Sequence, residues 1–401
     1  MYYLHYFDTA AEENQAMQFE SSDYVAPWVS LVSGRRTARF KLDESELKST
    51  PLTFKTIEAS SFSLSANDVQ YSTDDGETWT TLTAGTSTPV IAAGNKICFR
   101  GEISTFPCGT FSATGKFDAY GNPYSLFDKD NFATITNLTG KASVLSRLFE
   151  ANTNIVNARW ICLPADTLTT SVYYAMFKQC SSLESMPKLP ARNLGAQCYR
   201  HFCWDCTSLK HSIPILPALS VPTQAYNQMF RGCSSLLDAP ELPATSIANE
   251  SYKQMFDGCV LLEEATEALP ITTMSGSNCC RGMFQGCTSL KKIPAILPAE
   301  TLVSGCYSYM FCECPEIERA PELPALTLVS NCYQAMFQSC TKLNYIKAMF
   351  TTAPSTSYTQ TWVYGVASRG TYVMNNDATY TTRGSNGIPT NWTVEKVTLP
   401  S

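Results

Sequence analysis

Histidine is scarce in this sequence, charge is thin, and long apolar runs are absent. His5, His201 and His211 are the only three histidines in 401 residues, which weakens any hydrolase or zinc-enzyme reading. Charged residues make up 16% and the formal net charge is -6, so the basic footprint of a nucleic-acid binder is missing. No apolar stretch reaches the ~18 residues of a spanning helix, and membrane insertion is not expected. The opening MYYLHYFDTAAEENQ has neither a basic start nor a long apolar centre. It does not read as an export signal, and the product is expected to be made in the cytoplasm, although a chain trimmed of its leader would look the same. GxSxG, HExxH, Walker and calcium-loop motifs are all missing. His201 stands just before an apolar anchor and reads as packed, Glu263–Glu264 as a solvated face, and Asp74–Asp75 as a turn. No catalytic, cofactor or metal residues are assigned.

What is present is a repeat. Hydrophobic residues make up 44% and cysteines number 17, a globular composition. Self-similarity is anchored on the aromatic of "MF": Phe149, Phe177, Cys203 (where "HFC" replaces the pair), Phe230, Phe256, Phe284, Phe311 and Phe337. The intervals are 28, 26, 27, 26, 28, 27 and 26 residues. Three residues on stand Asn152 and then Cys180, Cys206, Cys233, Cys259, Cys287, Cys314 and Cys340. Six on stand leucine or isoleucine, followed by "LPA" or a variant of it. Four residues before the anchor is usually tyrosine, with Cys280 as an exception. The consensus is CYxxMFxxCxSLxxxPxLPAxxL.

This pattern changes the reading of the cysteines. Cys203-x-x-Cys206 and Cys312-x-Cys314 suggest ligand pairs, yet they lie four repeats apart, roughly 19 Å at about 4.8 Å per rung, too far to share a metal. A second column holds Cys198, Cys279, Cys306 and Cys332. Buried reduced ladders of small apolar side chains are the favoured reading. Adjacent rungs fall within disulfide reach, so oxidation is geometrically allowed.

Each unit has a helix-compatible part, CYxxMFxxC, with Tyr and Phe at i and i+4 on one face. A short apolar, proline-punctuated part follows, as a brief strand would. So small a unit must stack on its neighbours. The expected fold class is α/β, a solenoid of about eight coils, roughly 40 Å long, with a parallel sheet on one face and a small all-β domain before it.

These motifs resemble the BspA-type leucine-rich repeats, in a long variant carrying "MFxxCxSL" and "LPA". The resemblance extends to the "YSTDDGETW" hairpin at Tyr71–Trp79 and to the closing segments Tyr345–Phe350, Trp362–Val373 and Gly387–Val394. It covers about residues 50–401. It implies a parallel sheet on one side, short helices on the other, and a non-enzymatic surface or attachment protein of gut bacteria, their phages or mobile elements.

Five segments are expected. Residues 1–45 form an anchoring segment, with a Trp-bearing strand at 27–33 that alternatively edges the β module. Residues 46–108 form a β-sandwich-like domain whose single Asp-box hairpin is structural, since a sialidase propeller needs several. Residues 109–142 cap the solenoid, 143–347 are the solenoid, and 348–401 cap its far end, with Trp362 and Gly365 echoing the repeat as a degenerate ninth coil.

The candidate site is the open face of the sheet. Two positions after each column leucine, and three further on, the residue changes from coil to coil while the core letters repeat. From these positions Lys188, His211, Asp238, Glu241, Glu264, Lys292, Arg319, Glu322 and Tyr345 are taken as the candidate recognition face, the alternative being plain solvation. The expected role is attachment or receptor binding in a phage virion, as a tail or head fibre. Residues 1–45 would dock on other virion proteins, and the solenoid would meet a bacterial surface protein or glycan. The alternatives are a bacterial cell-surface adhesin and a structural decoration protein. A homo-oligomer is compatible with this role, although no coiled coil enforces one.

Overall fold

The computed structural model describes residues 3–6, 29–32, 35–40 and 44–398. The chain divides into two compact units, Met1–Leu47 and Lys48–Ser401. In the first, β1 (Tyr3–Tyr6) and β2 (Val29–Val32) pair antiparallel with a central β3 (Arg35–Phe40). These make a three-stranded sheet, order β1-β3-β2. Trp28 lies outside the described residues. A short helix α1 (Glu44–Ser49) follows.

The second unit opens with β4 (Leu52–Thr56), β5 (Phe62–Leu64), β6 (Val69–Ser72), β7 (Thr80–Leu82), β8 (Lys96–Arg100), β9 (Phe111–Ala113) and β10 (Phe117–Gly121). Five of these form an antiparallel run, β10-β4-β8-β6-β7, while β5 and β9 pair separately. Strand β10 also pairs in parallel with β11 (Ile155–Ile161), the first strand of the solenoid, so one sheet runs through from module to coils. The side chains do the same. The ring of Phe54 lies 5.0 Å from Phe99 and Phe111, 4.8 Å from Phe117 and 5.8 Å from Phe149, the first anchor. Phe111 stacks on Phe149 and so acts as a rung before the first repeat. The module thereby covers an apolar end that an uncapped stack would expose.

The YSTDDGETW hairpin is built as its letters suggest. Asp74 accepts from the Ser72 hydroxyl and from the backbone N–H and hydroxyl of Thr78. These hydrogen bonds hold its carboxyl down at about 2. Gly76 takes φ +94°, open to a residue without a Cβ, and Trp79 closes the turn by donating to the Gly76 carbonyl at 2.9 Å. Arg100 covers the indole at 4.0 Å.

In the solenoid the expected parallel stacking is present, carried by short strands and single bridges. One side is registered by Asn157↔Ser185, Asp238↔Glu264, Glu264↔Lys292 and Arg319↔Tyr345. It runs on through β15 (Tyr345–Ala348), β16 (Thr371–Asn375) and β17 (Thr393–Val397), after a short helix α2 (Thr356–Thr359). Another side carries β12 (Ser220–Val221), β13 (Ser246–Ile247) and β14 (Thr273–Met274), in that order and parallel.

The CYxxMFxxC segments are not helices, and here the helix-compatible reading is corrected. Every fourth residue is left-handed: Ser171, Ala175 and Gln179 in one coil have φ of 57°, 53° and 61°, and Gln197, His201 and Asp205 in the next have 58°, 59° and 58°. The chain is a ribbon of successive turns. The N–H groups of Ser171, Tyr173, Ala175, Phe177 and Gln179 donate to carbonyls of the following coil at 2.6–2.9 Å. Those between them, on Tyr174, Met176, Lys178 and Cys180, close turns onto carbonyls three residues back at 3.1–3.2 Å. An α-helix would spend all its interior donors on itself and leave none for the next coil. The spacing of four that brings Tyr and Phe to one side therefore belongs to the turn, not to a helical period.

Inside, identical side chains stack. Phe230, Phe256, Phe284, Phe311 and Phe337 have ring centroids 5.3–5.9 Å apart and are within 9° of parallel. Tyr173, Tyr199, Tyr226 and Tyr252 also stack, at 5.5–5.9 Å and 4–24° from parallel. Phe202 fills the methionine position where Cys203 takes the anchor. Trp362 also falls in the methionine column: the N–H of Phe337 donates to the carbonyl of Trp362, just as Phe177 donates to Phe202. Val363, not Trp362, therefore stands at the ninth anchor.

The column cysteines are more than filler. Each thiol from Cys180 to Cys340 donates to the carbonyl of the anchor residue one coil back, at 3.0–3.1 Å. Burial raises Cys180, Cys233, Cys259 and Cys314 well above the ordinary thiol range. None of the seventeen cysteines is in a disulfide.

Candidate recognition surface

The sheet side places the nine candidate residues as two adjacent columns. Lys188, His211, Glu241, Glu264, Lys292, Arg319 and Glu322 are exposed, and Asp238 and Tyr345 are half-buried. Their alternation follows from strand geometry, since the leucines between them point inward and are buried.

Most candidates pair with the adjacent rung. His211 Nδ1 meets Asp238 Oδ2 at 2.6 Å, and Asp238 Oδ1 accepts from the Ser212 N–H at 2.7 Å. Lys292 forms an ion pair with Glu264. The guanidinium of Arg319 lies 3.7 Å over the Tyr345 ring. Glu322 takes Lys347 at 3.0 Å. Acidic Asp238 and Glu264 are followed by basic Lys292 and Arg319, so the face offers a patterned set of donors and acceptors of both signs rather than a field of one sign. Exposed pairs of this kind add little stability, at most ~1 kcal/mol each.

The second column differs in register from the simple count. Glu241 bridges Ile215 and Glu322 bridges Ile296, because the coils holding His211 and Lys292 each carry one more residue before LPA than their successors. Ile215 and Ile296 are 40% and 42% exposed, apolar points beside acidic ones. Counting forward from the leucine missed them; counting back from LPA finds them.

The turn ribbon carries a second polar surface that the sequence reading did not single out. Gln197, Gln224 and Glu250, all left-handed, are linked side chain to side chain at 2.7 Å. His201, Gln228 and Gln254 form a parallel ladder at 2.7 and 3.0 Å. Trp204 sits between Lys178 and Arg231, at 5.0 and 5.4 Å. His201 packs against Tyr174 and Trp204, and its Nδ1 has no partner. Burial, with Arg200 beside it, lowers its pKa to about 4, so the ring is neutral at ordinary pH. The missed signal was the polar run six residues before successive anchors, Gln197, Gln224, Glu250 and Asn278.

Among the described residues no three His, Cys, Asp or Glu side chains converge as a metal centre would need. Nor is any helix among them long and apolar enough to cross a membrane. Compared with known proteins, the chain matches no family model, no curated protein and no solved structure.

Proposed function

We propose that this protein is a non-enzymatic attachment protein that presents the sheet side of its solenoid to a bacterial surface protein or glycan, as a component of a phage virion. The observation that supports this reading is the sheet-side column. A rigid, repeated frame holds side chains that change from rung to rung, from His211 through Asp238, Glu264, Lys292 and Arg319 to Tyr345. The resemblance of the repeat and hairpin letters to BspA-type leucine-rich repeats adds to it. A neutral, patterned face suits weak specific contacts that sum when many copies sit on one particle. Residues 1–45 would supply the docking segment.

Purified full-length protein is expected to bind susceptible cells and to compete with particle adsorption. Reversing the Arg319 and Lys292 charges together should abolish that competition. Deleting residues 1–45 should leave cell binding intact and remove the protein from particles. Normal particle incorporation after the deletion defeats the docking role. Cell binding indifferent to the charge reversal defeats the sheet face. Residence on a bacterial outer surface, with no particle association, would support the adhesin alternative. A sheet side buried against other virion subunits would mark a decoration protein.

A further inference from the structure

The amide ladder on the turn ribbon ends at Gln254, and we propose that the notch beside its end binds a carboxylated sugar, a hexuronate unit of an acidic glycan. In the column two residues before each anchor, His201, Gln228 and Gln254 join side chain to side chain, and the next position is Gly282. Gly282 is buried, and Gln254 Cγ and Gln285 Oε1 lie 3.1 and 3.2 Å from where its Cβ would stand, so the glycine lets these two side chains close over the backbone and edge the notch. A cavity of about 370 Å³ opens there, lined by Lys253, Gln254, Arg281, Gln285 and Tyr309. That volume is at the small end of ligand sites.

The polar groups around the notch divide into two sets. Gln254 is satisfied by Gln228 and Asp257, and Lys253 is held by Glu250 at 2.8 Å. Arg281 is not paired in this way. Elsewhere on the ribbon Arg147 reaches Glu150, Arg231 reaches Asp257 and Arg200 reaches Gln224. Among the described residues the Arg281 guanidinium meets only the Tyr309 ring, 5.3 Å away. The Gln285 carboxamide and the Tyr309 hydroxyl likewise have no hydrogen-bond partner there. A guanidinium fork matches a carboxylate through two parallel N–H···O bonds. A carboxamide both donates and accepts, as neighbouring sugar hydroxyls require. The lining is mainly polar, with the Tyr309 ring its one aromatic surface, which favours a sugar over an acyl chain.

The notch lies on the turn ribbon rather than on the sheet columns, so this inference does not depend on the sheet face being a contact surface. The test titrates the full-length chain with oligomers of glucuronate and of galacturonate by calorimetry. A neutral glucose oligomer and an acetylated tripeptide with a free carboxylate serve as comparisons. Saturable one-site binding of a hexuronate oligomer is expected, weakened about tenfold or more by Arg281→Ala. Gly282→Gln should do the same by displacing Gln254 and Gln285 from the edge of the notch. Gln228 and Gln254 occupy this column at φ 54° and 52°, close to the 60° of Gly282, so the backbone accepts a side chain once those two neighbours shift. If its melting curve nevertheless shows misfolding, the exposed Arg281→Ala substitution decides. Arg319→Glu, on the sheet side, should leave this binding unchanged. No saturable hexuronate binding, equal binding of the neutral oligomer or the tripeptide, or full binding by the folded notch variants would overturn the proposal.

Discussion

The thiol of Cys314 donates to the carbonyl of Phe284, one coil back, at 3.0 Å. The same bond recurs in every cysteine-bearing rung of the column. In the first coil, where cysteine is replaced, Asn152 Nδ2 donates to the Phe111 carbonyl at 3.0 Å. The exception keeps the bond and changes the residue. What is selected at this position is a small side chain that can donate into a dry turn, rather than apolar volume alone.

That distinction predicts a ranking at Cys259. Serine keeps a donor toward the Phe230 carbonyl and should cost no more than about 1 kcal/mol. Alanine loses the donor and some packing, costing about 1–2 kcal/mol. Valine, apolar but without a donor and larger, should cost about 2 kcal/mol or more. Urea unfolding of the three variants checks it. Valine better tolerated than serine would return the column to simple filler.

Two glycines separate conformational cost from steric cost. Gly258 has φ +76°, and a Cβ there would meet only ordinary contacts at 3.9 Å. Gly258→Ala should therefore cost about 1–2 kcal/mol, the price of left-handed backbone alone. At Gly195 a Cβ would sit 2.3 Å from the Thr169 carbonyl carbon of the preceding coil. Gly195→Ala should cost clearly more, because backbone must move and neighbouring rungs move with it. Thermal melts of the pair, read side by side, give the answer.

The repeat and its parallel stacking were legible because letters recur at constant spacing, and the Asp-box turn because its own short motif specifies it. Phe149 to Phe337 announce their column without any structure. The turn ribbon was not legible as such. Tyr and Phe four residues apart satisfy a helix and a chain of four-residue turns equally well, and only the left-handed residues decide between them. Those positions are Gly232, Gly258 and Gly286 in some coils but Gln179, Asp205 and Ser339 in others, so the glycine signal is diluted. Coils of unequal length hid the pairing of Ile215 with Glu241. The free Arg281 was invisible for a different reason: its lack of a carboxylate partner is a fact of three dimensions.

The hairpin box should carry a local acid transition of its own. The Asp74 carboxyl is lowered from its ordinary 3.8 to about 2 by its hydrogen bonds. Its contribution is therefore present above about 4 and is lost as pH falls toward 2. Asp74→Asn should loosen the hairpin at neutral pH and remove that local transition. Amide exchange at Thr78 and fluorescence of Trp79 would follow it, and an unchanged Thr78 amide in the variant would count against the bond's importance.

Two buried groups should tilt the pH dependence of global stability in opposite directions. Asp118 lies on β10 where the module sheet meets the first coil. Burial raises its carboxyl from 3.8 to about 7, against the pull of Lys55 and with Glu184 adding to the rise. The folded chain then holds a proton that the unfolded chain has lost, so this group makes stability fall as pH rises from about 4 to 7. His201 does the reverse. Its folded pKa is lowered from 6.5 to about 4, so the unfolded chain binds the extra proton and stability climbs from about 4 to 6.5. In the wild type the two slopes offset one another. Asp118→Asn should remove the falling slope and raise stability at pH 8 by on the order of 2 kcal/mol. His201→Gln, the residue its own column carries at Gln228 and Gln254, should remove the rising slope and flatten or reverse the curve below pH 6.5. Urea unfolding of the three proteins from pH 4 to 8 reads both differences. Parallel curves would mean that neither group is as deeply withdrawn from water as its surroundings indicate.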